Sequence, residues 1–469
     1  MNMNDTNLFN PTLLNPNAAK SLDETAVRLL KMGTTRPFRS RPTDPFPTRR
    51  ETETITDLDI VGEIRMEYTD WTGRTLARYF SQDGHEIGLF DEGYVALRRL
   101  VEQTLKTKPF NRGFSPEFME KSIFAWFTVN YGVSTPASLS DHVMAQAIEA
   151  YGEHHLVIPI SAIEIESPFQ IGNVLVAPMD KQMLVEVGQS VAEKHPEHAA
   201  TIEKKFSALV RELSHLTGVH VKIWGEAQMA KTEAIQTAFR ISEMFRFMSA
   251  AAVSWNVAYP CFPYGCYSPR TTTSLTVANG KISELNEGIL EYGMLSLKMT
   301  FAELDRDMKS GFANFAVFFR NGVLTPFEVR VGKAISAFTA GVATHDVNNR
   351  LIYVMSSLEH LFLRNEQEPI QNGVGERIAF FIEKDAKKRR GILANFKKSY
   401  TLRSKQIHHL STVDDEDTLS EFSKNAWIAV FKAMESMPYY RTHTEFLDAI
   451  DNVRAFFEPS ESKGDSHRP

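Results

Sequence analysis

The chain has 469 residues, a formal net charge of −6 and a hydrophobic content of 43%. That length and apolar content support two or three packed domains. Two cysteines, Cys261 and Cys266, exclude a disulfide framework and suit a reducing compartment. Residues 1–10 are polar, unlike a signal peptide, and no run of about eighteen apolar residues exists to span a membrane, so a cytoplasmic protein is expected.

Residues 1–55 are rich in Asn, Thr, Pro and Arg, with Arg36, Arg39, Arg41, Arg49 and Arg50 towards the end. Proline at this density disfavours helix and strand alike, which predicts a tail or surface strap with only a helical turn or two at 22–30. Its arginines suit either contact with nucleic acid or a solvated linker.

Residues 56–319 read as a mixed α+β region with a sensing or regulatory role. Residues 60–68 alternate as a strand does, while 92–105 and 116–131 carry helical spacing, and 140–151 opens on a capping-type Ser140-Asp141. Residues 156–165 and 169–176 read as two strands around a turn. A charged helical region at 183–215, a strand at 219–224, an amphipathic helix at 231–251 and a loop at 261–273 follow. Residues 289–308 and 314–320 continue the mixture.

From 320 to 457 the pattern becomes an all-α bundle. Thr325 caps a helix with Pro326 in its first turn and Phe327, Val331, Ile335 and Phe338 along one face. Helices at 351–363, around Ile378, at 386–410, 418–434 and 444–457 complete it, and 458–469 is a polar tail. The acidic cluster Asp414–Asp417 reads as a helix start that could also screen the basic segment before it.

That segment, 386–410, carries Lys387, Lys388, Arg389, Arg390, Lys397, Lys398, Arg403 and Lys405 and no acidic residue. In a chain of net negative charge it is a local positive field, suited either to solvent or to a polyanion. At about 100° per residue, Lys387, Arg390, Lys397, Lys398, Lys405 and His408 share roughly a third of the circumference. Leu393, Phe396, Tyr400 and Ile407 form an apolar seam with Arg403 at its border. A held guanidinium can pair with phosphate oxygens, and an imidazole exchanges protons near neutral pH.

The run Arg403-Ser404-Lys405-Gln406-Ile407-His408 is an Arg, four residues and a His, with a polar residue after the Arg. With the Ser357-Leu358-Glu359-His360-Leu361-Phe362 helix, the Gly375-Glu376-Arg377-Ile378 helix and Tyr400 ahead of it, it resembles the HEPN domain, most closely the ApeA-like branch, over about 320–457. Many members have Gly where this chain has His409, so His408 and His409 both stand as the working histidine. The resemblance implies metal-independent endonucleolytic cleavage of RNA, in which the ribose 2'-hydroxyl attacks its own phosphate and leaves a 2',3'-cyclic phosphate. It assigns His408 proton transfer and Arg403 stabilisation of transition-state charge. Arg390, Lys397, Lys398, Ser404, Lys405 and His409 would contact RNA.

In a straight helix Arg403 and His408 point about 140° apart. They converge only if the helix ends or unwinds near Gln406, or if two chains share the site, and HEPN domains commonly pair, so a homodimer is expected. The implied protein is an effector of antiviral defence or a toxin, with a phage-derived or nucleotide trigger acting on the N-terminal region. The alternatives are a catalytically silent HEPN module that binds RNA or a nucleotide or acts as a dimerisation platform, and a purely structural motif. In the last, Arg403 is salt-bridged to Glu359 or Glu376 and His408 caps a helix.

Other constellations carry less. His195 and His198, with His215 and His220, lack the fixed ligand set of a zinc site, and Cys261 and Cys266 have no second pair. Neither a phosphate-cradling Gly-rich loop nor a Gly-x-Ser-x-Gly elbow is present. No metal or other cofactor is expected.

Overall fold

The computed structural model describes residues 9–37, 67–70, 72, 74–267, 271–278, 281–289, 296–409 and 415–456. The chain divides into two compact units. The first comprises Met1–Leu156, Gly188–Lys204 and Lys222–Ala234, the second Val157–Val187, Lys205–Val221 and Ile235–Pro469.

The first unit opens with α1 (Pro16–Leu30) and continues through β1 (Thr34–Pro37), β2 (Glu67–Thr69), β3 (Thr75–Gln82), β4 (His85–Phe90), α2 (Glu92–Leu105), α3 (Pro116–Asn130) and α4 (Leu139–Ala150). Its strands form an antiparallel sheet in the order β1-β4-β3-β2. Leu22, Ala26 and Leu29 of α1 pack in one core with Leu97 and Leu100 of α2, Ile123 and Phe127 of α3 and Val143 of α4.

Two expectations for this unit are corrected. Residues 9–37 are no loose strap, because Pro16 occupies the first turn of α1, where its missing N–H costs nothing, and Asn15 caps that turn. Arg36 then pairs β1 with β4 territory, 3.0 Å from Asp91 and 3.9 Å above the Phe90 ring. Helix α4 is capped by Ser138, not by Ser140, whose amide donates to Asp23. Arg39, Arg41, Arg49, Arg50 and most of the strand expected at 60–68 lie outside the described residues.

Five elements run across the division: β5 (Gly152–Ile160), α5 (Lys181–Lys194), α6 (Ala199–Leu213), β9 (Thr217–Gly225) and α7 (Ala227–Met248). The second unit adds β6 (Ile163–Ile165), β7 (Phe169–Ile171), β8 (Val174–Pro178), β10 (Thr271–Ala278), β11 (Lys281–Ile289), β12 (Leu297–Met299) and α8 (Phe301–Lys309). Strands β5-β9-β8-β7 form a sheet in that order. The hairpin expected between 156–165 and 169–176 does not form. Its turn falls inside the later segment, where Phe169 of β7 faces Val176 of β8. The earlier segment breaks at Ala162, whose φ is 62°, and β6 pairs in parallel with the distant β12.

The rest of the unit is helical: α9 (Pro326–Val342), α10 (Val347–Phe362), α11 (Ile370–Ile382), α12 (Ala386–His409), α13 (Glu416–Glu435) and α14 (His443–Phe456). Thr325 and Glu328 exchange hydrogen bonds as a capping box at the start of α9. Phe327, Val331, Ile335 and Phe338 are all buried, as their spacing predicts. The chain is thus α+β towards its N-terminus and helical towards its C-terminus.

Arginine holds this helical part together in two places that charge patterning does not reveal. Arg350 of α10 is fully buried and its guanidinium donates to the carbonyls of Ala251, Ser254, Trp255 and Val257, tying the loop after α7 to the bundle. Arg377 of α11, also buried, donates to Asp451 of α14 at 2.9 and 3.0 Å and to Glu368 at 2.8 Å. Arg364 and Arg454 contact the same Asp451. No helix among the described residues is long and apolar enough to cross a membrane.

Candidate nucleic-acid interface

Helix α12 is 24 residues long, and its first turn is set by Asp385, whose carboxylate accepts from the Lys388 amide at 2.8 Å. Lys387, Lys388, Arg390, Lys398 and Lys405 are exposed. Arg389 turns inward instead and lies 4.3 Å from the Phe380 ring.

The opposite face packs into the bundle. Phe396 is buried and meets Phe422 of α13. Gly375 of α11 lies directly opposite, where a Cβ would stand 2.8 Å from the Phe396 ring and 3.0 Å from Leu393. The buried face is more polar than the expected seam. Asn395 and Ser399 are buried beside Phe396, and Asn395 donates to the Thr418 carbonyl. Ser399 lies one turn before Arg403, on the same side of the helix.

Arg403 is consequently half-buried. Its Nη1 stands 3.7 Å from Oε1 of Glu359 on α10, and its guanidinium carbon lies 5.9 Å from the Tyr400 ring. The pair is loose: Nε of Arg403, Oε1 of Glu359 and Oγ of Ser399 are all buried with no hydrogen-bond partner among the described residues. Burial pushes the Glu359 carboxyl up, and the Arg403 charge opposes that shift. Glu376, the other expected partner, pairs with Arg454. Arg403 therefore presents a planar donor group of which only part is occupied by a carboxylate, an arrangement that can exchange one anion for another.

Helix α12 continues unbroken through His409. The helix thus has no unwound end at Gln406, and the backbone positions 403 and 408 lie about 140° apart around it. The side chains of residues 406–409 lie outside the described set, His408 and His409 among them.

The remaining expected contacts divide. Arg390 and Lys405 are exposed, and Lys397 and Ser404 are half-buried. Lys398 is engaged elsewhere, with Nζ 2.6 Å from Asp415 and 2.7 Å from the Thr418 hydroxyl. Asp415 also caps α13, accepting from the Thr418 amide. Asp415 thus serves both roles weighed for the acidic cluster, starting a helix and pairing with a basic neighbour.

Two features were not visible in the pattern. The polar seam through Ser399 was hidden because the aromatic residues at 396 and 400 dominate the spacing. The anchoring of Lys398 depends on a residue beyond the turn. His195 and His198 face only Glu197, at 3.8 and 3.7 Å, and no group of three His, Cys, Asp or Glu among the described residues is arranged to hold a metal ion. Cys261 is buried and Cys266 exposed, both as free thiols.

No family model, no curated protein and no solved structure matches the chain.

Proposed function

We propose that the chain is a metal-independent RNA endonuclease of HEPN type, acting in the cytoplasm as an effector of antiviral defence or as a toxin. The observation that carries this reading is the placement of Arg403, half-buried in the last turns of an exposed basic helix with its guanidinium only loosely held by Glu359. An RNA phosphate offers that guanidinium two oxygens in place of one distant carboxylate. In the reaction His408 takes the proton of the ribose 2'-hydroxyl, the 2'-oxygen bonds to phosphorus, and the bond to the 5'-oxygen breaks, that oxygen taking a proton from water and leaving as a free 5'-hydroxyl. Arg403 stabilises the charge on the non-bridging oxygens. Because one α12 cannot aim both groups at one point, the active species is a homodimer in which two motifs line a shared cleft. Arg390, Lys397 and Lys405 hold flanking phosphates, with Ser404 and His409 beside the reacting centre. The N-terminal region receives the trigger, a phage-derived component or a nucleotide.

The test is cleavage of RNA by the full chain in excess chelator, with Arg403→Ala and His408→Ala alongside. Loss of cleavage in both, with 2',3'-cyclic phosphate ends from the parent, supports the reading. Intact RNA under all conditions, with and without cell extract as a source of trigger, ends it.

A second reading has its own support. The contact of Arg403 with Glu359 and the unbroken helix through His409 suit a catalytically silent HEPN module that binds RNA or a nucleotide or serves as a dimerisation platform. RNA binding without cleavage selects it.

A further inference from the structure

A cavity of about 190 Å³ lies within the second unit, between α7, the short helical turn Phe312–Phe319 and α9. It is independent of Arg403 and of the ribonuclease reading. Its walls are aromatic and aliphatic. Phe315 is buried, its ring 6.0 Å from that of Phe318 at 64°, and Gly332 of α9 lets the Phe318 ring lie over the helix backbone. A Cβ at residue 332 would stand 3.1 Å from that ring. Glycine inside a helix costs stability relative to alanine, so its presence here goes with the space it leaves.

Three charged side chains converge on this apolar box. Glu243 of α7 is half-buried, and burial pushes its carboxyl up while the Ser336 hydroxyl and the Arg246 and Arg240 charges oppose the shift. Arg240 and Lys333 are exposed, and Arg240 is steadied by the Phe318 carbonyl, to which its Nη1 donates at 3.4 Å. Two cations stand against one carboxylate, so the cavity favours a ligand with a net negative charge. Apolar walls with a few convergent polar groups are the usual make-up of a small-molecule site.

Size narrows the class. A cavity of about 150 Å³ lined by apolar side chains accepts benzene, so this one encloses one flat ring, and any further groups of the ligand extend outward past the exposed Arg240 and Lys333. We propose that the cavity binds a small anionic molecule with one flat ring: the ring lies against Phe315 and Phe318, a ring O–H or N–H donates to Glu243, and the acidic group meets Arg240 and Lys333. A hydroxyaryl carboxylate and a pyrimidine mononucleotide share this chemistry.

Isothermal titration of the full chain with 4-hydroxyphenylacetate, phenylacetate, phenol, uridine 5'-monophosphate and uridine tests it. The expected result is a dissociation constant on the order of 0.1–1 mM for at least one of 4-hydroxyphenylacetate and uridine 5'-monophosphate. The tighter of the two identifies the source of the ligand. Phenol or uridine, lacking the acidic group, binds at least tenfold more weakly than its acid, and phenylacetate, lacking the donor, is weaker than 4-hydroxyphenylacetate. Arg240→Gln with Lys333→Gln weakens the acid at least tenfold and leaves the uncharged ring unchanged. Gly332→Val abolishes binding of all probes. The proposal is overturned if neither acid binds the parent below about 5 mM, or if a bound acid is indifferent to the double substitution. Both substituted side chains are exposed, so that variant keeps the fold even where Gly332→Val does not.

Discussion

Nη1 of Arg403 stands 3.7 Å from Oε1 of Glu359, too far for a hydrogen bond, while Nε on the same guanidinium and that same Oε1 are buried without a partner. A buried polar group without a protein partner has hydrogen-bonding capacity that an incoming group can take up. Glu359→Gln keeps the shape and removes the charge that competes with phosphate. RNA affinity is predicted to rise about fivefold at low salt, near 1 kcal/mol, the scale of one charge about 4 Å away when water screens it fully. A filter-binding titration against the parent checks this, and unchanged or weaker binding would count against phosphate at Arg403.

Arg390, Lys405 and Lys398 should separate by assay. Arg390→Ala and Lys405→Ala are each predicted to lower the slope of log affinity against log salt by about 0.7 for single-stranded RNA, with little change in melting temperature. Lys398→Ala is predicted to leave the slope alone and to lower the melting temperature slightly, because it removes the partner of Asp415 and Thr418 at the start of α13. A slope change in Lys398→Ala equal to that in Arg390→Ala would contradict this division.

Asp451 is held at about 2, down from 3.8, by the guanidinium groups of Arg377, Arg454 and Arg364 despite its partial burial. A carboxylate with a depressed folded value contributes stability that is fully present above its unfolded value. That stability is lost as the pH falls through the interval from 3.8 to 2. Asp451→Asn is predicted to cost about 3 kcal/mol at pH 7 and much less at pH 2, since it strips the counterion from buried Arg377. Urea denaturation at the two pH values measures the difference.

His443 titrates in a different window. Burial, together with the nearby Arg330, His360 and Arg364, lowers it to about 4 from 6.5, against its hydrogen bond with the Leu361 carbonyl. Here the unfolded chain takes up the proton first, so stability falls as the pH drops from 6.5 towards 4 and then levels. In His443→Gln the melting temperature should lose that part of its pH dependence while the Asp451 step below it remains. A parallel curve for parent and variant across the window would refute the assignment.

Arg350→Met is predicted to destabilise the second unit by about 3–5 kcal/mol, because four carbonyls that now share one buried guanidinium would lose their donor together. Burial already lowers this arginine to about 10. Thermal unfolding of the full chain reads the loss, and a change under 1 kcal/mol would mean that other donors replace it.

Helices announced themselves in the sequence wherever caps and periodicity agreed. The helical spacing over 116–131 matches α3 to within a residue, and Thr325 before Pro326 marks the start of α9. Strand pairing was far less legible, because β6 finds β12 across 131 intervening positions and Ala162 breaks a run that alternates smoothly. Proline misled at position 16, where a helix start and a helix break use the same residue. At the candidate site, the border position of Arg403 followed from helical spacing, and Glu359 stood as one of two expected partners. The locked state of Lys398 did not follow, since it depends on where the chain returns after residue 410.

Anchoring of Lys398 by Asp415 leaves two exposed footholds on the positive strip of α12, with the half-buried Lys397 between them. Arg390 at one and Lys405 at the other are about 22 Å apart along the helix axis. A chain of several nucleotides can stand on both at once, whereas a dinucleotide reaches one. Under the proposed reading, length itself becomes a criterion of selection: short oligomers are let go and longer strands stay, whatever their bases.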